Sequence, residues 1–180
     1  ALAAGAQIVN DVSALLWDER AVQVVVRAGC PVILMHSPDP AKGPHGGTGY
    51  RNVVTEVFDW LEARVEAVVA AGVDRSHIIV DPGIGFGKTQ AHNLAILRRI
   101  SIYHGLGVPV LLVVSGQSDV EDVVASVEVS MAEIADNHAR TVAVVANKCL
   151  PETRQAVGEA LTAIEGITST TLPEVPLLAA

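Results

Sequence analysis

The chain has few cysteines, few basic residues and no long apolar run, and each shortage excludes a class of protein. Its two cysteines, Cys30 and Cys149, have neither a CxxC nor a Cys/His spacing, so no disulfide framework or metal site is predicted. Twelve Lys and Arg against twenty Asp and Glu give a net charge of −8, which argues against nucleic-acid and membrane-surface partners. No apolar run approaches the roughly 20 residues of a membrane span, and we expect a cytoplasmic protein.

Apolar residues are abundant and occur in short runs. Half of the 180 residues are hydrophobic, enough for one sizeable core. Short β-branched runs alternate with longer helical patterns, which predicts βαβ units with a parallel sheet covered on both faces. The predicted strands are 7–12, 31–36, 77–81, 108–115, 141–148 and 167–172, and the predicted helices are 18–28, 50–71, 89–104, 118–139 and 151–165.

Residues suited to ligand binding stand at the ends of the first three predicted strands. They are Asn10, Asp11, Met35, His36 and Asp81, and Asp81 opens the glycine-rich turn 82–88. Loops at the carboxyl ends of parallel strands carry the chemistry of such folds. An amide and a carboxylate there can bind a heterocycle with amine and ring N–H donors, and Lys88 can meet an anion.

Each of these residues also has a purely structural interpretation. Asn10 and Asp11 can cap the turn that follows them, and His36 can be a packed histidine at a strand end. The turn itself is neither of two familiar phosphate-binding motifs. Pro82 stands where a P-loop ending in Gly87 and Lys88 needs glycine, and the glycines read GxGxG rather than GxGxxG.

Three separate segments carry a family resemblance. Asn-Asp-Val-Ser-Ala at 10–14, Met-His at 35–36 and Asp-Pro-Gly-Ile-Gly-Phe-Gly-Lys-Thr at 81–89 resemble the middle of dihydropteroate synthase, in the same order and spacing. That family is a TIM barrel that condenses a pterin pyrophosphate with p-aminobenzoate. The resemblance covers residues 1 to about 115 and implies that they form barrel strands four to seven.

The resemblance also implies a role for individual residues. Asn10 and Asp81 would hold the pterin, and Met35, Gly85 and Phe86 would line its pocket. Lys88 belongs to the family's motif without being its essential lysine, which leaves it as a weak anion-binding candidate. No catalytic residue, metal ligand or cofactor is predicted.

The chain departs from the family where other site groups are expected. The family's first three strands, with a metal-binding Asn, would lie before Ala1. Its seventh strand ends in Ser-Arg-Lys, but this chain has Ser-Gly-Gln at 115–117. An Arg and a His that the eighth strand supplies for the pyrophosphate are missing.

Residues from about 106 to 180 resemble a second family, the N-terminal P-loop-like domain of phosphate acetyltransferase, through apolar runs such as 108–114 and 144–149. Two families that meet inside one strand predict an engineered chimera. We expect an α/β fold with a single parallel sheet of about six strands, forming one domain over 1–180. Within it, 1–107 would be half-barrel-like and 108–180 Rossmann-like.

This interpretation predicts a chimeric or designed fold without catalytic activity, which retains a remnant pterin site. The alternatives are a weak binder of a pterin-like molecule or an anion, and a dihydropteroate synthase fragment, hence a transferase. A homodimer through an exposed sheet edge is the one protein partner predicted.

Overall fold

The structure of the protein is a computed structural model that describes residues 2–37, 49–115, 143–149, 155–156, 159 and 168–173. It divides into two compact units, residues 1–111 and 112–180. The predicted helix 118–139 lies outside the described residues. Of the predicted helix 151–165, residues 155, 156 and 159 are described and are helical. The one-domain organisation stays a prediction.

In its described residues, the first unit alternates strands with helices. Its elements are β1 (Val9–Asp11), α1 (Ala21–Ala28), β2 (Val32–Met35), α2 (Val53–Ala70), β3 (Ile78–Asp81) and α3 (Gln90–Leu97), with 3-10 helices at Leu2–Ala4, Arg75–His77 and Ile100–Leu106. The strands are parallel, in the order β1-β2-β3. Each of the three lies inside its predicted range.

One face of this sheet packs against α2 and forms the core. Val32 and Leu34 of β2 and Ile78 and Val80 of β3 share that face and have no exposed surface. The apolar side of α2 (Val53, Val54, Val57, Leu61, Val65 and Val68) is buried as well. Each such side chain stabilises the fold by roughly 2 kcal/mol. The core therefore fixes which face of the sheet α2 covers.

The second unit contains β4 (Val113–Ser115), β5 (Ala143–Cys149) and β6 (Thr168–Pro173), which form a parallel sheet in the order β4-β5-β6. The parallel α/β class is thus confirmed. The described strands form two sheets of three instead of the single sheet of about six that the sequence predicts, and they give no support to a Rossmann-like segment.

The predicted strand 108–115 explains part of this difference. Its first half pairs with β3: Val80 N–H donates to Pro109 O at 2.9 Å, and Leu111 N–H donates to Val80 O at 2.8 Å. Its second half is β4, which pairs with β5. An apolar run indicates a buried strand but not its partner, because strand pairing joins residues distant in sequence.

None of the helices in the described parts of the chain is long and apolar enough to cross a membrane.

Candidate functional site

The candidate site lies on the sheet face opposite α2. Side chains alternate between the faces of a strand, and paired residues of parallel neighbours share a face. The register aligns Asn10 with Ile33 and Met35 with Asp81, so three predicted pterin residues, Asn10, Met35 and Asp81, project from this one face. Asn10 is exposed, whereas Met35 and Asp81 are buried.

Asp81 ends β3 and begins the turn. Its Oδ1 accepts a hydrogen bond from Gly83 N–H at 2.7 Å. Its backbone oxygen accepts from His36 N–H at 2.8 Å, which joins the ends of β2 and β3. Burial raises the pKa of the Asp81 carboxyl to about 6, against the lowering effects of the Gly83 hydrogen bond and the Lys88 charge. At neutral pH the group is a carboxylate that can accept ligand N–H donors.

Lys88 ends the turn, and its ammonium is buried rather than directed to solvent. Its Nζ lies 3.0 Å from His36 Nδ1, 2.8 Å from Gly83 O and 3.1 Å from Phe86 O. An ammonium has three donors and no acceptor, so these three contacts use all of them. The weak anion-binding role of Lys88 stays a prediction, and an anion would have to displace one of these acceptors.

His36 is the packed histidine of the structural alternative. It is 4% exposed, and its ring makes an edge-on contact with Trp60 of α2, with centroids 5.0 Å apart. Burial first, and then the Lys88 charge, lower the pKa of His36 to about 3. Burial likewise lowers the pKa of Lys88 to about 8, against the effect of Asp81. At pH 7 the pair is a neutral imidazole accepting from a cation.

The turn approaches the end of β2 so closely that only glycine fits at position 83. Gly83 has φ +68°, and a Cβ built on it would lie 2.1 Å from His36 O and 3.2 Å from Lys88 Nζ. Further along, Gly85 N–H donates to Asn93 Oδ1 of α3 at 3.1 Å. The turn is therefore held from β2 on one side and from α3 on the other, with Gly85 and Phe86 between these supports.

The loop after β1 is held in a similar way. Asp11 Oδ1 accepts from Ser13 N at 2.7 Å, so Asp11 caps the following turn, as the structural alternative predicts. Ala14 and Leu15 come next, with φ of +51° and +65°. Arg64 of α2 donates from Nε to Ala14 O at 2.6 Å and from Nη2 to Leu15 O at 3.4 Å. This cation keeps two strained residues in place.

The sequence interpretation misses Arg64 altogether. The only signal is its position within α2, next to the buried residues Leu61, Val65 and Val68, where a charged side chain needs a partner. Its partners are carbonyls about fifty residues away, which no local pattern identifies. Among the residues that the structure describes, no group of three or more His, Cys, Asp or Glu side chains is arranged to hold a metal ion.

These strands and loops define a parallel α/β protein with a candidate ligand site at the carboxyl ends of its strands. The family model described as "Pterin binding enzyme" matches residues 1–150. The chain therefore belongs to the pterin-binding enzyme family.

Relatives and solved structures agree with this assignment. The dihydropteroate synthase of Mycobacterium leprae is 44% identical over 113 residues, which are 62% of this chain and 40% of that protein. The Bacillus subtilis enzyme is 38% identical over 115 residues, which are 64% of this chain and 38% of that protein. A dihydropteroate synthase structure from Xanthomonas albilineans matches with a TM-score of 0.61 and 34% identity over 77% of this chain and 51% of that one. The chain thus spans well under two thirds of these relatives.

The predicted inactive chimera is wrong. The match to the pterin-binding family continues through the proposed join at 108 as far as residue 150, and the relatives are named as dihydropteroate synthases. This result leaves the resemblance to phosphate acetyltransferase without support. The error has a physical origin, because alternating apolar strands and amphipathic helices recur in many unrelated α/β proteins.

Proposed function

We propose that this chain forms the pterin-binding part of a dihydropteroate synthase, a transferase that joins a pterin pyrophosphate to p-aminobenzoate. Asn10 and Asp81 hold the pterin ring, and Met35, Gly85 and Phe86 line its pocket. The observation that carries the proposal is the strand register, which gives Asn10, Met35 and Asp81 a common face at the carboxyl ends of the strands. Support also comes from related structures with ligands, among them a Thermus thermophilus dihydropteroate synthase in complex with 6HMPPP (31% identity, TM-score 0.58).

The chemistry of these groups suits a pterin. The amine and ring N–H groups of a pterin are donors, and a carboxylate and an amide oxygen are the matching acceptors. Asp81 is buried and ionised at neutral pH, so its hydrogen bonds to such donors are charge-assisted. Met35 contributes an adaptable apolar surface on the same face. In the reaction these residues orient the pterin while the amine of p-aminobenzoate attacks its methylene carbon and the pyrophosphate leaves with the C–O bond electrons. No proton transfer is assigned to them.

The proposal is tested by titrating the chain with 6-hydroxymethylpterin pyrophosphate in a calorimeter. Asp81→Asn should weaken binding about tenfold to a hundredfold, because a hydrogen bond to a charged group contributes roughly 1.5–3 kcal/mol. Asp74→Asn is the matched control, since Asp74 is an exposed cap at the opposite end of β3 and should leave the affinity unchanged. Absence of binding by the folded wild-type chain, or equal affinity of both variants, would refute the assignment.

A further inference from the structure

The buried ammonium of Lys88 connects three backbone or ring acceptors that belong to two different loops. His36 follows β2, while Gly83 and Phe86 belong to the turn after β3. Lys88 is itself only 9% exposed. Burial of a cation is energetically unfavourable unless the cation is fully hydrogen-bonded. A lysine is therefore an unfavourable residue at a buried position that serves only for packing.

Two of the acceptors of Lys88 are backbone carbonyls of the turn itself. Phe86 O accepts from Nζ, and Phe86 N–H donates to Gly83 O at 3.1 Å, so the same carbonyl, Gly83 O, receives both Lys88 and Phe86. Gly85 lies in the chain between Gly83 and Phe86, which this backbone hydrogen bond joins. The backbone from Gly83 to Phe86, which would face a ligand, is therefore held by three hydrogen bonds, two of them from Lys88 Nζ. The contact of Nζ with His36 Nδ1 joins this backbone to the end of β2.

We propose that Lys88 is a positioning residue: its ammonium joins the end of β2 to the turn after β3 and so holds Gly85 and Phe86 in the conformation that receives the pterin. This inference rests on the proposed function for its ligand, but the arrangement of the turn can be tested without one. This role requires no contact between Lys88 and the ligand. Lys88 acts through the carbonyls of Gly83 and Phe86 and through the ring of His36.

The state of His36 supports this role and gives a spectroscopic signature. Because the ammonium can only donate, His36 Nδ1 must accept, and the ring proton must be on Nε2. The aromatic groups that also face the ring are Tyr50, with centroids 6.1 Å away, and Trp60. His92 contacts Tyr50 rather than His36. Lys88 is thus the one charged group in described contact with the imidazole.

The experiment compares wild type, Lys88→Met, Lys88→Arg and a control, Arg75→Met, by NMR. Arg75 also donates to a backbone carbonyl, Leu106 O at 2.9 Å, but it lies at the amino end of β3. In Lys88→Met we expect amide exchange at Gly85 and Phe86 to accelerate at least about tenfold, with a changed nitrogen shift at His36 Nδ1. Arg75→Met should change neither. Lys88→Arg should restore part of the protection because it keeps the charge and several donors.

A second measurement adds the ligand. The affinity for 6-hydroxymethylpterin pyrophosphate, calculated per folded molecule, should fall about tenfold or more in Lys88→Met and stay unchanged in Arg75→Met. If exchange at Gly85 and Phe86 is the same in Lys88→Met as in wild type, the inference is wrong whether or not a pterin binds. If exchange accelerates and affinity is unchanged, Lys88 stabilises the fold only, which also overturns it. If the wild type binds no pterin, the proposed function fails, and the exchange result alone decides whether Lys88 orders the turn.

Discussion

The close contact at Gly83 gives a sharp prediction for Gly83→Ala. The new Cβ would lie 2.1 Å from His36 O, a backbone atom that cannot rotate away, at a φ of +68°. The left-handed conformation costs an alanine about 1–2 kcal/mol. Relief of the clash must also separate the turn from β2, which weakens the Lys88 hydrogen bonds. We expect a total loss of roughly 3–5 kcal/mol in the free energy of unfolding, at the upper end for single substitutions.

Gly85→Ala separates the two contributions. Gly85 has φ +84°, but a Cβ added there would meet no atom within 4 Å, so its replacement carries the backbone cost without the clash. Urea unfolding followed by far-UV circular dichroism should show a loss for Gly83→Ala at least about twice that for Gly85→Ala. If the two variants lose equal free energy of unfolding, the close contact between Gly83 and His36 O does not destabilise Gly83→Ala, and the reasoning is refuted.

Two further predictions concern the pH dependence and a helix cap. The pKa of Asp81 rises from 3.8 to about 6 on folding, so its contribution to stability is complete below pH 3.8 and is lost as the pH rises through about 6. The free energy of unfolding should therefore fall by about 3 kcal/mol over this pH range. Urea unfolding of Asp81→Asn at several pH values across the range should lack this fall. Parallel pH profiles for wild type and variant would contradict the raised pKa of Asp81. Asn52 caps α2 by accepting from Val54 N–H at 3.2 Å, so Asn52→Ala should lower the free energy of unfolding by about 1 kcal/mol, whereas Asn52→Asp should stay close to wild type.

The elements that could be predicted from the sequence are those with a strong local pattern. β2 and β3 are continuous apolar runs, and α2 has an apolar stripe, so each lies within its predicted range. The predicted helix 89–104 is different, because α3 ends at Leu97 and a 3-10 helix follows. Ile100, Tyr103 and Leu106 are buried at a spacing of three, which matches the three residues per turn of a 3-10 helix. In the sequence, apolar residues in this segment are spaced by both three and four positions. The change from an α-helix to a 3-10 helix therefore becomes visible only when the buried residues are known.

For the site, the sequence predicts which residues share a sheet face but not what holds them. Asn10, Met35 and Asp81 stand at strand ends, and the alternation of side chains then brings them to one surface. The supporting contacts of Arg64 and Lys88 end on carbonyl oxygens. Every residue has a carbonyl, so such a contact leaves no compositional trace. The common face of these three residues is therefore accessible to sequence reasoning, whereas the side-chain contacts that support the neighbouring loops are not.

Helix α2 supplies several of these supports at once. Arg64 donates to the loop after β1, Trp60 packs on the histidine that follows β2, and the backbone oxygen of Val54 accepts from the Tyr103 hydroxyl at 3.0 Å. Under the proposed function, natural selection on ligand recognition would therefore extend to this helix. A map of tolerated substitutions would then outline the supporting positions of this helix together with the residues proposed to bind the pterin.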